Sequence, residues 1–149
     1  MKFYLKLFFL FLLQQSIVAQ SEYNHYKSVL DTTKNKKTQL SLLDSLIKYN
    51  PKSNYEEYTR LNEKYVDLAI ENKSYEAAIK HAIKAFHTIN IIYGQPKRAF
   101  KLMDKAEKHK DKTNDSYLLG SIYLKKGGGY FNGGDLNKAI ENYSTAIEL

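Results

Sequence analysis

Residues Tyr117–Leu149 read YLLGSIYLKKGGGYFNGGDLNKAIENYSTAIEL, and this stretch decides the fold. Tyr117, Leu118, Ile122 and Tyr123 recur at helical spacing. After Asn132-Gly133-Gly134 the pattern resumes with Leu136, Ala139, Ile140, Tyr143, Ala146 and Ile147. Such spacing puts each set on one face of a helix. The Asn-Gly-Gly break is turn chemistry, and Asp135 is placed to cap the second helix with its short carboxylate. Small residues at Gly127, Ala139 and Ala146 allow two helix backbones to approach closely, and Tyr123, Tyr130 and Tyr143 fill the space around them.

Working back toward the N-terminus, the same periodicity continues. The stripes are Leu40, Leu43, Leu46 and Ile47; Tyr58, Leu61, Tyr65, Leu68 and Ala69; Ala78 to Asn90; and Ala99, Phe100, Leu102, Met103 and Ala106. No stretch alternates with period two for long enough to make a sheet. The breaks are short: Asn50–Asn54, Asn72–Ser74, Tyr93–Pro96 and His109–Asn114. Ser53 and Ser74 are candidate caps, and Pro96 suits a first helical turn, where no amide donor is needed. The reading is an all-α chain of about six helices, at 36–49, 54–72, 75–92, 96–109, 114–132 and 135–149, with consecutive helices as antiparallel neighbours.

Tyr123, Gly127, Tyr130, Ala139, Tyr143 and Ala146, with the turn between them, resemble the tetratricopeptide repeat. Ala99, Met103 and Ala106 repeat the small–large–small spacing 40 residues earlier, a longer step than the family's usual ~34. Ala78, Ala82 and Ala85 share the spacing, with a small residue at the centre. Two departures stand out: Lys126 occupies a position where the family usually has Leu, and Gly127-Gly128-Gly129 supplies three glycines where the pattern asks for one. An interior glycine costs about 0.8–1 kcal/mol against alanine, so fraying or a kink is expected near Gly128. The resemblance implies a right-handed superhelix of antiparallel helix pairs over residues 36–149. It also implies a concave surface that holds a peptide or protein. The family's groove-facing positions fall on Ser121, Leu124, Gly128 and Phe131. These are neutral or apolar and unlike a Lys/Asn carboxylate clamp, so the expected partner is apolar or mixed.

The N-terminus is of a different kind. Met1–Gln20 is MKFYLKLFFLFLLQQSIVAQ, with Lys2 and Lys6, an apolar run from Leu7 to Leu13, then small or polar residues. That is the layout of a secretory signal peptide cut near Ala19 or Gln20; a spanning helix needs about 20 apolar residues. Residues 21–35 are polar with weak periodicity and read as a lead-in linker. The chain stops within an apolar-faced helix, where a repeat array normally carries a polar capping helix. The reading is therefore a partial chain with repeats or another domain downstream.

Chemistry is scarce. The 149 residues include 7 Gly, 2 Pro and no Cys, which excludes collagen-like chains, disulfide scaffolds, zinc fingers and thiol chemistry. The net charge of +7 comes from 21 Lys and only two Arg, Arg60 and Arg98. Base and phosphate recognition favours the Arg fork, so no specific nucleic-acid contact is expected. The basic run Lys97–Lys112 also contains Asp104, Glu107 and Asp111 and reads as a mixed-charge helix face. His81 and His87 are six apart, not at the i, i+4 spacing of a chelating helix. No metal or cofactor is expected. Glu56-Glu57 and Asp104/Glu107 read as carboxylates on solvated faces, and no phosphate loop or nucleophile elbow is present. The expected function is an exported, non-catalytic binding scaffold. The alternative is the sensory front of a bacterial signalling protein, a histidine kinase or DNA-binding regulator, with its membrane helix and output domain elsewhere.

Overall fold

The structure, a computed structural model, describes residues 18–50 and 54–149. The described residues form no strand. Among the described residues seven α-helices follow one another: α1 over residues 18–32, α2 Lys36–Tyr49, α3 Tyr55–Glu71, α4 Tyr75–His87, α5 Pro96–Glu107, α6 Ser116–Asn132 and α7 Leu136–Glu148. A π-helical turn, Thr88–Ile92, extends α4, and a 3₁₀ turn, Lys110–Lys112, follows α5. The signal peptide read at residues 1–20 lies outside the described residues up to residue 17, as does the candidate cap Ser53. The chain divides into two compact units, residues 1–61 and 62–149.

In the first unit, the stretch read as a linker at 21–35 is helical through residue 32. Its stripe is aromatic and interleaved with polar residues, which hid its period. Tyr23 and Leu30 are buried, and the Tyr26 ring stacks on Tyr49 with centroids 5.7 Å apart. The Leu40, Leu43, Leu46 and Ile47 stripe is buried as its spacing predicts, and Asn35 caps α2 by accepting from Thr38 N. The Tyr23 hydroxyl donates to Glu57 Oε1 at 2.6 Å. Burial, and then this bond to a carboxylate that Arg60 holds in its charged form, push the phenol up to about 12. The raised value means that the bond stabilises fully below pH ~10 and is lost as pH rises through about 12. An alkaline absorbance titration of the 13 tyrosines is expected to show one late component that Tyr23→Phe removes.

In the second unit, three turns join helices through a left-handed residue: Lys73 (φ 58°), Gly94 (φ 62°) and Gly134 (φ 81°). Ser74 N donates to Ala69 O at 2.8 Å, and Asp135 N to Tyr130 O at 3.0 Å. These are the same helix-terminating bonds. Asp135 caps α7 as expected, accepting from Lys138 N. Ser74 does not cap α4. Its ψ of 57° is not the extended cap geometry, and its hydroxyl instead accepts from Asn72 Nδ2. Lys73 fills the position that Gly134 fills in the later turn, where a Cβ costs about 1–2 kcal/mol. Lys73→Gly is expected to raise stability by about 0.5–1 kcal/mol in urea unfolding.

The hairpins obey the small-residue logic. A Cβ on Gly127 would come within 2.7 Å of the Tyr143 ring, and one on Gly120 within 3.4 Å of Ala146 O. The Lys138 ammonium lies over the Tyr130 ring. Partners of residues 120, 127 and 130 thus run 146, 143 and 138, so α6 and α7 are antiparallel. Helix starts repeat the long period: Lys36, Tyr75 and Ser116 are 39 and 41 residues apart, and Tyr55, Pro96 and Leu136 are 41 and 40 apart.

The expected kink at Gly128 is absent, because α6 is unbroken from Ser116 to Asn132. Packing outweighs the propensity cost. Gly129 is seated against Phe100, Phe86 and Asn90, where a Cβ would fall within 2.8, 2.9 and 3.1 Å of their nearest atoms. Phe86 and Phe100 meet edge to face at 5.1 Å, and Phe100 packs on Tyr130 at 4.5 Å. Two of the three glycines therefore bring other elements up to the α6 backbone.

A candidate binding face on α6

α6 turns one side inward and leaves another bare. Leu118, Ile122, Gly127 and Gly129 are buried. Tyr117, Leu124 and Phe131 are 86%, 55% and 58% exposed. Their spacing of seven makes them a single stripe, two turns apart. Apolar side chains aligned along one exposed side of a helix make this a candidate interaction surface. Between Leu124 and Phe131 lies Gly128, whose missing Cβ would meet only the Tyr143 hydroxyl, at 3.7 Å.

Two depressions flank the stripe. The larger, about 540 Å³, is lined by Tyr117, Gly120, Ser121 and Leu124 of α6 and by Tyr143, Ala146 and Ile147 of α7, with Ser116 and Leu149 at its ends. The smaller, about 180 Å³, lies between the end of α4 and α6 and is lined by Phe86, His87, Asn90, Ile91, Leu124, Lys125, Gly128, Gly129 and Asn132. Leu124 is the wall they share.

The sequence-derived positions divide accordingly. Ser121 and Leu124 line the larger depression, and Leu124 and Gly128 the smaller. Phe131 continues the stripe without lining either. The Ser121 hydroxyl donates to Tyr117 O. Ile91 and Ile92 were not identified as surface. The helix read at 75–92 changes to a π turn at Thr88, which keeps Ile89 and Asn90 buried and leaves Ile91 and Ile92 43% and 64% exposed. Single π turns recur at functional sites. The asparagine within the apolar run Ile89-Asn90-Ile91-Ile92 is the signal that marked it.

Several titratable groups away from this face are engaged structurally. His81 is buried, stacked on Tyr65 at 3.7 Å, with Nε2 2.8 Å from Asn62 Oδ1. His109 stacks on Tyr75. Of the carboxylates read as solvated, Glu56 and Asp104 are exposed as expected, whereas Glu57 and Glu107 are partly covered and paired. Glu57 takes both Arg60 and Tyr23, while Glu107 and Asp104 hold Lys126 at 2.8 and 2.9 Å. Burial pushes the Lys126 ammonium down, but those two hydrogen bonds outweigh it and its pKa stands above the ordinary lysine value. In the basic run, Arg98 forks onto Glu63 at 2.9 and 2.7 Å, holding that carboxyl below its usual range against the opposing effect of burial. Lys105 pairs with Asp67. Among the described residues no three His, Asp or Glu side chains gather as metal ligands, and no helix is long and apolar enough to cross a membrane.

No family model, curated protein or solved structure matches the chain.

Proposed function

We propose that the chain is an exported, tetratricopeptide-like scaffold that binds a protein or peptide through the α6 face and carries out no catalysis. The observation that supports this most is the bare stripe Tyr117, Leu124, Phe131 beside the open Gly128. It offers apolar anchors with room between them, and the π turn adds Ile91 across the small cleft. The polar groups there, Asn132, Lys125 and His87, can orient a bound backbone, while the apolar wall supplies the affinity. The 40-residue spacing of Ala99, Met103 and Ala106 against Ala139, Tyr143 and Ala146 supports the repeat reading, and the signal-like residues 1–20 support export.

Selection from a displayed peptide library tests the binding role. The chain is expected to enrich peptides carrying an apolar side chain. Leu124→Glu and Phe131→Glu are each expected to weaken the enriched peptides by about 10-fold or more, the scale of an interface hot spot, with helical circular dichroism unchanged. No enrichment, or equal binding by the double variant, would overturn the reading. Export is tested separately by the mass of the secreted chain, expected to begin at Gln20 or Ser21.

A further inference from the structure

We propose that the smaller cleft, between the π turn and α6, grips one acidic residue of an extended peptide. Asn90 binds the backbone of that residue, and Lys125 with His87 binds its side-chain carboxylate. The inference deepens the peptide-binding role proposed above and rests on it. It begins from Asn90, which is 7% exposed. Its carboxamide makes no hydrogen bond with any described residue. A buried amide without a partner carries the whole cost of its desolvation, and native proteins keep few such groups. An apolar side chain at this position would be buried without that cost, and the residues around it, Ile89, Ile91 and Ile92, are all isoleucine. The surface that Asn90 keeps lies in the cleft, which it lines together with Phe86, Ile91 and Leu124. The backbone makes room for it. The π turn sets Asn90 inward beside Ile89 while Ile91 opens outward. Gly129 clears the far side, since a Cβ there would stand 3.1 Å from Asn90 Nδ2.

The chemistry of the ligand follows from what lines the cleft. A carboxamide both donates and accepts. One residue of an extended chain offers the complement, because its N–H and C=O point to the same side. Lys125, His87 and Asn132 also line the cleft, and no acid does. None of these three side chains makes a hydrogen bond or ion pair with a described residue. Elsewhere in this unit the cations find carboxylates: Arg98 holds Glu63, Lys105 holds Asp67 and Lys126 holds Glu107. At the cleft the two basic residues have none from the chain, so a carboxylate brought by the ligand completes the set with charge-assisted bonds. The volume of about 180 Å³ suits one residue of a peptide, whose neighbours then lie along the α6 stripe.

Peptides enriched on the full chain, synthesised with both ends blocked, test this by fluorescence anisotropy. Each is expected to contain an Asp or Glu, and changing that residue to its amide is expected to weaken binding about 10-fold. Lys125→Ala is expected to weaken the acidic peptide equally and the amide form hardly at all. Asn90→Leu is expected to weaken both forms by about 10-fold or more. It is also expected to raise the urea midpoint, because no unbonded amide is then buried; a residue of structural value alone would lower it. Enriched peptides that lack an acid, or that ignore both Lys125→Ala and Asn90→Leu, would overturn this site. If Phe131→Glu still weakens them, the α6 stripe stands without it. Loss of binding on blocking the C-terminus would overturn the side-chain assignment, and a lower urea midpoint for Asn90→Leu would overturn the reading of Asn90. No enriched peptide at all would remove both proposals.

Discussion

Alanine at Gly128 is expected to stabilise the domain, while alanine one residue later, at Gly129, is expected to destabilise it. The two positions share a helix and an intrinsic cost: an interior glycine loses about 0.8–1 kcal/mol against alanine. At Gly128 nothing opposes recovery of that amount, because a Cβ there reaches only the Tyr143 hydroxyl at 3.7 Å. Gly128→Ala should therefore gain about 0.5–1 kcal/mol. At Gly129 the Cβ falls 2.8 Å from Phe100 and 2.9 Å from Phe86. Those rings brace each other edge to face, and Phe86 is only 2% exposed, so Phe86 has no room to recede. Overpacking of this kind costs about 1–3 kcal/mol and exceeds the propensity gain. Gly127 is intermediate. Its 2.7 Å approach is to the Tyr143 ring, which is half-buried and can swing outward at a smaller loss. Urea unfolding of the three single variants is the measurement, and three gains in stability would refute the packing account of the triple glycine.

Lys126→Leu, which restores the residue usual in the repeat pattern, is expected to lower stability by about 1–3 kcal/mol. The Lys126 side chain is 13% exposed, and Glu107 beside it 20%. Removing the cation leaves a covered carboxylate without its partner, which costs more than the pair itself contributes. The double variant Lys126→Leu with Glu107→Leu is expected to recover most of the loss. The loss should depend on pH in a defined way. Lys126 has its pKa raised above the ordinary lysine value by the two carboxylates. Its contribution is therefore complete below pH ~10.5 and fades only as pH rises through the folded value. Between pH 6 and 9 the difference between wild type and variant should be flat. Equal stability of Lys126→Leu and wild type at pH 7 would remove the pair from any role in seating α6 on α5.

The helices were legible because their apolar stripes are aliphatic and regular. Leu40, Leu43, Leu46 and Ile47, and then Ala99, Leu102, Met103 and Ala106, are buried as spaced. The turns were legible through Gly94 and Gly134, but not through Lys73, whose left-handed backbone no composition rule foretells. α1 was missed because Tyr23 and Tyr26 do not read as a core stripe among polar neighbours. The triple glycine was read from propensity alone, whereas its reason lies in side chains up to 43 residues away, such as Phe86. On the binding face, Leu124 and Phe131 came from the repeat pattern and are exposed. Ile91 and Ile92 did not, because a π turn changes which residues face outward and leaves only a faint mark in the sequence.

The uneven burial of the hairpins bears on how the domain comes apart. Ala139 is the one residue of α7 buried to core level, whereas α5 has four, Ala99, Leu102, Met103 and Ala106. A helix with so little apolar surface withdrawn from water holds its amides by a thin margin. Within residues 62–149 as given, α7 is thus expected to open more readily than α5, and its amide protons to exchange with solvent while α5 stays protected.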